Sequence, residues 1–177
     1  MKETTLTTKK VYECSFMSVY EDDVILPNQK TSQRVYIKHP GGAAMLATTK
    51  DDQIILIKQF RYPLEEIIYE IPAGKMDVDG EDFKACAIRE LEEETGYISD
   101  QIDFLYQIYP CVGYSDEIIE IYRAKQAYLK DHPKQSDEDE FVKPYLYTKD
   151  EVKNLLLKGE IKDGKTIIAI QSWLNEK

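Results

Sequence analysis

Histidine and cysteine are scarce in this sequence. There are two histidines, His39 and His132, and three cysteines, Cys14, Cys86 and Cys111, in 177 residues. Two imidazoles exclude zinc motifs that need several. An odd number of widely spaced cysteines, with no C-x-x-C pair, argues against structural disulfides and a cysteine-bound zinc, and points to a reducing compartment. Positive charge is also in deficit. Lys and Arg number 23 against 33 Asp and Glu, a formal net charge of −10, and no basic cluster offsets it. Such a chain repels phosphate backbones, so no nucleic-acid partner is expected. No apolar run approaches the ~18 residues of a membrane span. The opening MKETTLTTKK lacks the apolar core of a signal peptide. No membrane partner is expected, and a cytoplasmic location is.

What is present is a globular composition, 42% hydrophobic and 32% charged, without repeats or low-complexity linkers. A chain of this length buries roughly two thirds of its unfolded surface, enough for a core without staples. Residues 11–38 alternate and are rich in Val, Tyr and Ile. They read as two or three antiparallel strands, broken at Glu21-Asp22-Asp23 and at Pro27-Asn28. After the breaker His39-Pro40-Gly41-Gly42, residues 43–47 and 53–60 read as a buried strand pair. The continuous run Ile54-Ile55-Leu56-Ile57 predicts burial on both faces. Residues 67–71 form a short strand and 73–80 a loop. Residues 81–95 form the strongest helix, stopped by Gly96. Strands over 103–109, 118–127 and 141–147 follow. Thr148 and Glu151 make a capping-box pattern opening a helix to Lys158, and 166–175 is a last helix. Hairpin-like strand pairs around one strong helix predict an α+β fold with a mixed sheet.

That helix carries Glu90, Glu92, Glu93 and Glu94. At i, i+3 and i+4, Glu90, Glu93 and Glu94 share one face, while Glu92 points elsewhere. Like charges at these spacings, in the half of the helix where the dipole disfavours them, destabilise a bare helix. A divalent cation reverses the sign, and carboxylate oxygens suit Mg²⁺ or Mn²⁺. Taken alone, the cluster reads equally well as a solvated acidic face partly neutralised by Arg89.

The flanking residues break that tie. Gly74, six residues, Glu81, seven residues, then Arg89-Glu90-Leu91-Glu92-Glu93-Glu94-Thr95-Gly96-Tyr97 resembles the Nudix box. That box reads G, five residues, E, seven residues, R-E-U-x-E-E-x-G-U, with U bulky and apolar. Every fixed position from Glu81 to Tyr97 matches. The one departure is the extra residue between Gly74 and Glu81, in a loop where length changes are cheap. The resemblance implies the Nudix fold, an α/β/α sandwich around a mixed sheet. The hydrolase domain would take residues 41–177, behind an N-terminal antiparallel strand extension over 1–40. It also implies Mg²⁺- or Mn²⁺-dependent hydrolysis of a nucleoside diphosphate linked to another moiety. Glu90, Glu93 and Glu94 are the implied metal ligands, with the backbone carbonyl of Ala73 as a further one and Glu81 as a weaker candidate. Glu93 and Arg89 belong to the implied catalytic set, Arg89 by holding the glutamates through charge-assisted bonds.

The flanks resemble one group within that family. Gln59-Phe60-Arg61 and Tyr69-Glu70-Ile71-Pro72-Ala73-Gly74-Lys75 are similar to the Q-Y-R and L-E-I-P-A-G-K of ADP-ribose pyrophosphatases. The stretch PCVGYSDE, from Pro110 to Glu117, resembles their P-S-P-G-x-S-x-E loop, with Cys111 and Val112 departing from Ser-Pro. This implies that Arg61 meets the pyrophosphate or the terminal ribose through its guanidinium fork. Gly74 and Pro110 would line the substrate. Glu70 would touch the substrate or merely end a strand. Glu140 is the implied general base, with Glu138 and Asp139 as near neighbours left open. In this group the N-terminal strands exchange within a homodimer. Tyr12, Phe16, Tyr20 and Tyr36 would then stack on adenine or pack in a core or interface. The implied partner is a small nucleotide sugar, and the implied reaction is hydrolysis of ADP-ribose to AMP and ribose 5-phosphate. Rival readings are cleavage of NADH or a dinucleoside polyphosphate, and a non-catalytic ADP-ribose sensor.

Overall fold

The computed structural model describes residues 1–134 and 141–176. The chain divides into two compact units. One comprises Met1–Gly41 with Tyr109–Ile118, the other Gly42–Ile108 with Ile119–Lys177.

The first unit is an antiparallel meander of β1 (Thr4–Glu13), β2 (Ser18–Ile25) and β3 (Thr31–Lys38). Strand β2 runs straight through Glu21-Asp22-Asp23, where the sequence suggested a break. Cross-strand donors explain this. Thr7 and Gln33 donate to Asp23 at 2.8 and 3.3 Å, and the Tyr36 hydroxyl donates to Asp22 at 3.3 Å. An acidic pair normally favours turns because it competes for backbone donors, and here neighbouring side chains bond it instead, leaving only Asp22 Oδ1 buried without a hydrogen bond among the described residues. The expected turn at Pro27-Asn28 is present. Its backbone closes from Leu26 N–H to Lys30 O at 2.8 Å. The segment Tyr109–Ile118 docks along β3, with Ile37 donating to Tyr114 O at 2.8 Å and Asp116 donating to Ile37 O at 3.1 Å.

The second unit is built on β4 (Gly42–Thr49) and β5 (Ile54–Arg61), an antiparallel hairpin, and on β10 (Ile119–Leu129), which runs parallel to β4. β6 (Glu66–Glu70) and β11 (Lys143–Tyr147) flank β5, β7 (Ala73–Lys75) pairs with β4, and β8 (Tyr97–Ile98) and β9 (Gln101–Ile108) pair with β10. One parallel pair among antiparallel ones makes the sheet mixed, as the sequence predicts. Three helices cover it: α1 (Phe83–Thr95), α2 (Lys149–Leu157) and α3 (Gly164–Leu174).

The two-residue period of a strand sends neighbours to opposite faces. Ala44, Leu46, Ile54 and Leu56 pack with Val152 of α2 and with Ala169, Ile170 and Trp173 of α3. Ala43, Met45, Ala47 and Ile55 pack with Cys86, Ala87 and Leu91 of α1. The sheet is thus enclosed by α1 on one face and by α2 and α3 on the other. That is the predicted sandwich, and it is why the run from Ile54 to Ile57 carries no polar residue. Helix ends follow local chemistry. Asp82 caps α1 by accepting from Ala85 N–H, and Gly96 ends it in the left-handed region at φ 73°. Thr148 and Glu151 form the complete capping box of α2. α3 starts two residues before the expected Thr166, because Asp163 accepts from Thr166 N–H and so becomes the cap.

Candidate active site

Helix α1 has an apolar side that packs on the sheet, and this sets the azimuth of its glutamates. Glu90 and Glu94 lie on the buried side, 6% and 4% exposed. Burying carboxylates is costly unless each finds a donor. The donors here are specific. Arg89 Nη1 bonds Glu90 Oε1 at 2.6 Å and Glu93 Oε2 at 3.0 Å, while its Nε and Nη2 take both oxygens of Glu81 at 3.0 Å each. One guanidinium therefore gathers three carboxylates. The Glu81 hydrogen bonds first, then Glu93 and Glu90, push the arginine's pKa further up. Glu94 Oε2 accepts the backbone N–H of Ala73 at 2.9 Å, which ties the helix to β7.

The loop before the helix is shaped for this cluster. A Cβ on Gly74 would stand 1.8 Å from Glu90 Oε1, so only glycine leaves room for that carboxylate. The added residue before Glu81 costs nothing visible. Gly80 turns at φ 76° with nothing near its Cβ position, and Glu81 still reaches Arg89. Cys86 lies beneath this loop with its thiol 3.4 Å from Lys75 O. Burial pushes that thiol up to about 12, against the pull of Arg89, so it stays protonated. Glu92 points away, as the helical spacing predicts. It accepts from Lys130 Nζ at 2.8 Å and from Lys134 N–H at 2.9 Å, and the Lys130 bond leads in holding its carboxyl below the usual range.

A second charged group stands at the end of β6. Arg61 forks onto Glu70 through Nε and Nη2 at 2.5 and 2.7 Å. Glu70 is 2% exposed and also takes Lys165 Nζ, which bonds Asp163 Oδ2 at 3.0 Å. Burial pushes the Glu70 carboxyl up, but the Arg61 bonds and the Lys165 charge outweigh it and leave the pKa lowered. Lys165 was not among the sequence candidates. Its only signal was being the one charged residue in the stretch Gly164–Leu174.

The structure thus brings Ala73, Gly74, Glu81, Arg89, Glu90, Glu93 and Glu94 into one cluster, and pairs Arg61 with Glu70. Pro110 belongs to the other compact unit, before a turn in which Cys111 O accepts from Tyr114 and Ser115 N–H. Glu140, with Glu138 and Asp139, lies outside the described residues.

No three His, Cys, Asp or Glu side chains among the described residues already stand as a metal cage. The donor chemistry nevertheless fits a hard divalent cation. Glu90, Glu93 and Glu94 offer only oxygen, Glu90 and Glu93 converge on Arg89 while Glu94 is held at Ala73, and Gly74 leaves the space that Glu90 occupies.

Comparison with known proteins follows the same lines. The family described as the NUDIX domain matches residues 38–169. The chain is 42% identical to the methanol dehydrogenase activator of Bacillus methanolicus, over 96% of this chain and 91% of that protein. It is 40% identical to the ADP-ribose pyrophosphatase of Bacillus subtilis (strain 168), over 97% of this chain and 92% of that protein. A crystal structure of an ADP compounds hydrolase has the same fold, with a TM-score of 0.81 at 22% identity, over 98% of this chain and 95% of that chain. With the box intact on α1, its glycine fitted against Glu90 and its arginine holding three glutamates, the chain belongs to the Nudix family and is a Nudix hydrolase.

Proposed function

We propose that this Nudix hydrolase cleaves the diphosphate of ADP-ribose and related ADP-sugars, with Mg²⁺ or Mn²⁺, giving AMP and ribose 5-phosphate. The observation that carries this reading is the convergence of Glu81, Glu90 and Glu93 on Arg89 beside the Glu94–Ala73 bond. The identity of 40% to an ADP-ribose pyrophosphatase across nearly the whole chain supports the substrate class.

Glu90, Glu93 and Glu94, with the Ala73 carbonyl, are the groups that would hold the cation. Bound there, it would supply charge neutralisation for the diphosphate and a lowered pKa for water. The chain's own residues do the rest. Arg89 keeps the glutamates in register, so that little reorganisation is needed when substrate arrives. Arg61 offers a guanidinium to an anionic oxygen of the diphosphate or to the terminal ribose. Gly74 lets the backbone approach closely, and Pro110 shapes its loop. Glu140 is the carboxylate we assign to proton removal from the attacking water, worth about 10²- to 10⁴-fold.

We assign a cytoplasmic homodimer to this protein, formed through residues 1–40 as an extension of the hydrolase domain over 41–177. β1 is exposed along its length and pairs only with β2 among the described residues, which leaves an edge open for a second copy. A soluble, fully active monomer lacking residues 1–38 would overturn that assignment.

The test of function is turnover of ADP-ribose with Mg²⁺, beside ADP-glucose, NADH and diadenosine polyphosphates, for wild type and Glu93→Gln. We expect ADP-ribose to be cleaved best. The substitution should cost more than the ~10- to 100-fold typical of residues that only support a ligand. A second reading takes a dinucleotide such as NADH as the substrate, beside the 42% identity to a methanol dehydrogenase activator. Faster cleavage of NADH would select it. Binding of ADP-ribose by wild type without cleavage would replace both with a sensor.

A further inference from the structure

Arg61 is held in an unusual way. Its Nε and Nη2 are committed to Glu70, and Nη1 has no hydrogen bond among the described residues. The side chain is 40% exposed, whereas its partner Glu70 is almost fully buried. The charge of Glu94 reaches Arg61, so this corner borders the carboxylate face of α1. An arginine that must bind an anion here works against two costs. Its partner carboxylate neutralises it, and the charge of Glu94 acts on it as well.

The last helix answers the first cost. Lys165, the second residue of α3, has a side chain only 9% exposed and bonds both Glu70 and Asp163. The first turn of α3 is fastened to the same strand end, since Thr166 Oγ1 accepts the N–H of Ile71 at 2.9 Å and donates to Asp163 at 2.6 Å. Glu70 thus shares its charge between two cations. Without Lys165, Arg61 would face Glu70 and Asp163 alone, and the corner would become net negative.

We propose that Lys165 is a positioning residue for substrate binding: by sharing Oε2 of Glu70 with Arg61 Nη2, it fixes the aim of Arg61 and leaves the arginine's Nη1 and its charge available for a diphosphate oxygen. This rests on the reading of the protein as a pyrophosphatase of ADP-sugars. Lys165 touches no substrate in this account and acts only through Glu70 and Arg61. It lies outside the Nudix box, 95 residues from its carboxylate.

The experiment is a KM and kcat comparison on ADP-ribose for wild type, Lys165→Met, Lys165→Arg, Arg61→Met and the Arg61→Met/Lys165→Met pair, with a thermal melt for each. We expect Lys165→Met to raise KM about 10-fold with kcat within about twofold, the pattern of lost uniform binding. Lys165→Arg should restore most of the loss. In the Arg61→Met background the second substitution should add less than about twofold, since coupled residues are not additive. An unchanged KM, or the full 10-fold rise in the absence of Arg61, overturns the proposal. Should Lys165→Met fail to fold, Lys165→Arg and Lys165→Gln carry the test: equal KM values in these two overturn it. If wild type leaves ADP-ribose intact, the functional reading alone has failed. Calorimetric binding of inorganic pyrophosphate to the same variants then decides on Lys165 by the same pattern.

Discussion

The two charged groups on either side of the Ile71–Lys75 stretch have opposite stoichiometry. On α1 one cation, Arg89, serves Glu81, Glu90 and Glu93. At the end of β6 one carboxylate, Glu70, serves Arg61 and Lys165. The first arrangement keeps excess negative charge, which a divalent cation can neutralise. The second keeps a guanidinium edge with no hydrogen-bond partner among the described residues, which suits an anion. A substrate diphosphate lying between a cation and a guanidinium would meet positive charge on both sides. The comparison teaches that the count of partners around a buried charge, more than the presence of an ion pair, shows what a site lacks.

Removing the shared cation of the first group should have the largest effect. Arg89→Met leaves three carboxylates without their common donor. Activity should fall about 100-fold, read as kcat/KM on ADP-ribose, with stability lower by about 2 kcal/mol because the pairs are only partly screened. Activity within twofold of wild type would show that the glutamates need no holder.

Removing the shared anion of the second group should come next. Glu70→Gln leaves Arg61 and Lys165 facing each other and should cost about 3 kcal/mol near neutral pH. The sign of its pH dependence follows from the lowered pKa of Glu70. A carboxyl depressed on folding contributes stability above its unfolded value, about 4.3, and loses it as pH falls through the lower folded value. The gap in Tm between wild type and Glu70→Gln should therefore be widest at neutral pH and narrow below about pH 4. A gap independent of pH would mean that the ionised form of Glu70 is not what the corner is built on. The smallest effect serves as the control. Thr148→Ala removes the α2 capping box, which belongs to neither group. It should cost about 1 kcal/mol in a denaturant melt and leave KM and kcat unchanged.

Legibility in the sequence tracked the range of each interaction. The capping box at Thr148, the stop at Gly96 and the two-sided burial of the Ile54–Ile57 run all depend on neighbours within a few residues, and each is present in the structure. The shared face of Glu90, Glu93 and Glu94 follows from helical spacing in the same way. Asp22 and Asp23 misled because their donors, Tyr36, Thr7 and Gln33, come from adjacent strands. β8 is two residues long and exists only through its pairing with Tyr128 and Leu129, so no local pattern marks it. Lys165 drew no notice in the sequence, because nothing near it there announces Glu70.

The sequence by itself determined the strongest helix and its stop at Gly96, the three glutamates on one face of it, the mixed strand-rich architecture, the Nudix membership and the sign of the net charge, while the start of that helix lies at Phe83, two residues after the expected Glu81. These are matters of side-chain type and of periods of two and 3.6 residues, which act locally. Only the tertiary structure decided which cation meets which carboxylate. Arg89 could have pointed to solvent, and it instead gathers Glu81 across the loop. Arg61 ends β5 and could have pointed to solvent, but it forks onto a buried carboxylate that a lysine from the last helix also holds. The reason is physical: a buried charge must be paired, and its partner comes from whichever distant segment the packing of sheet and helices brings within reach.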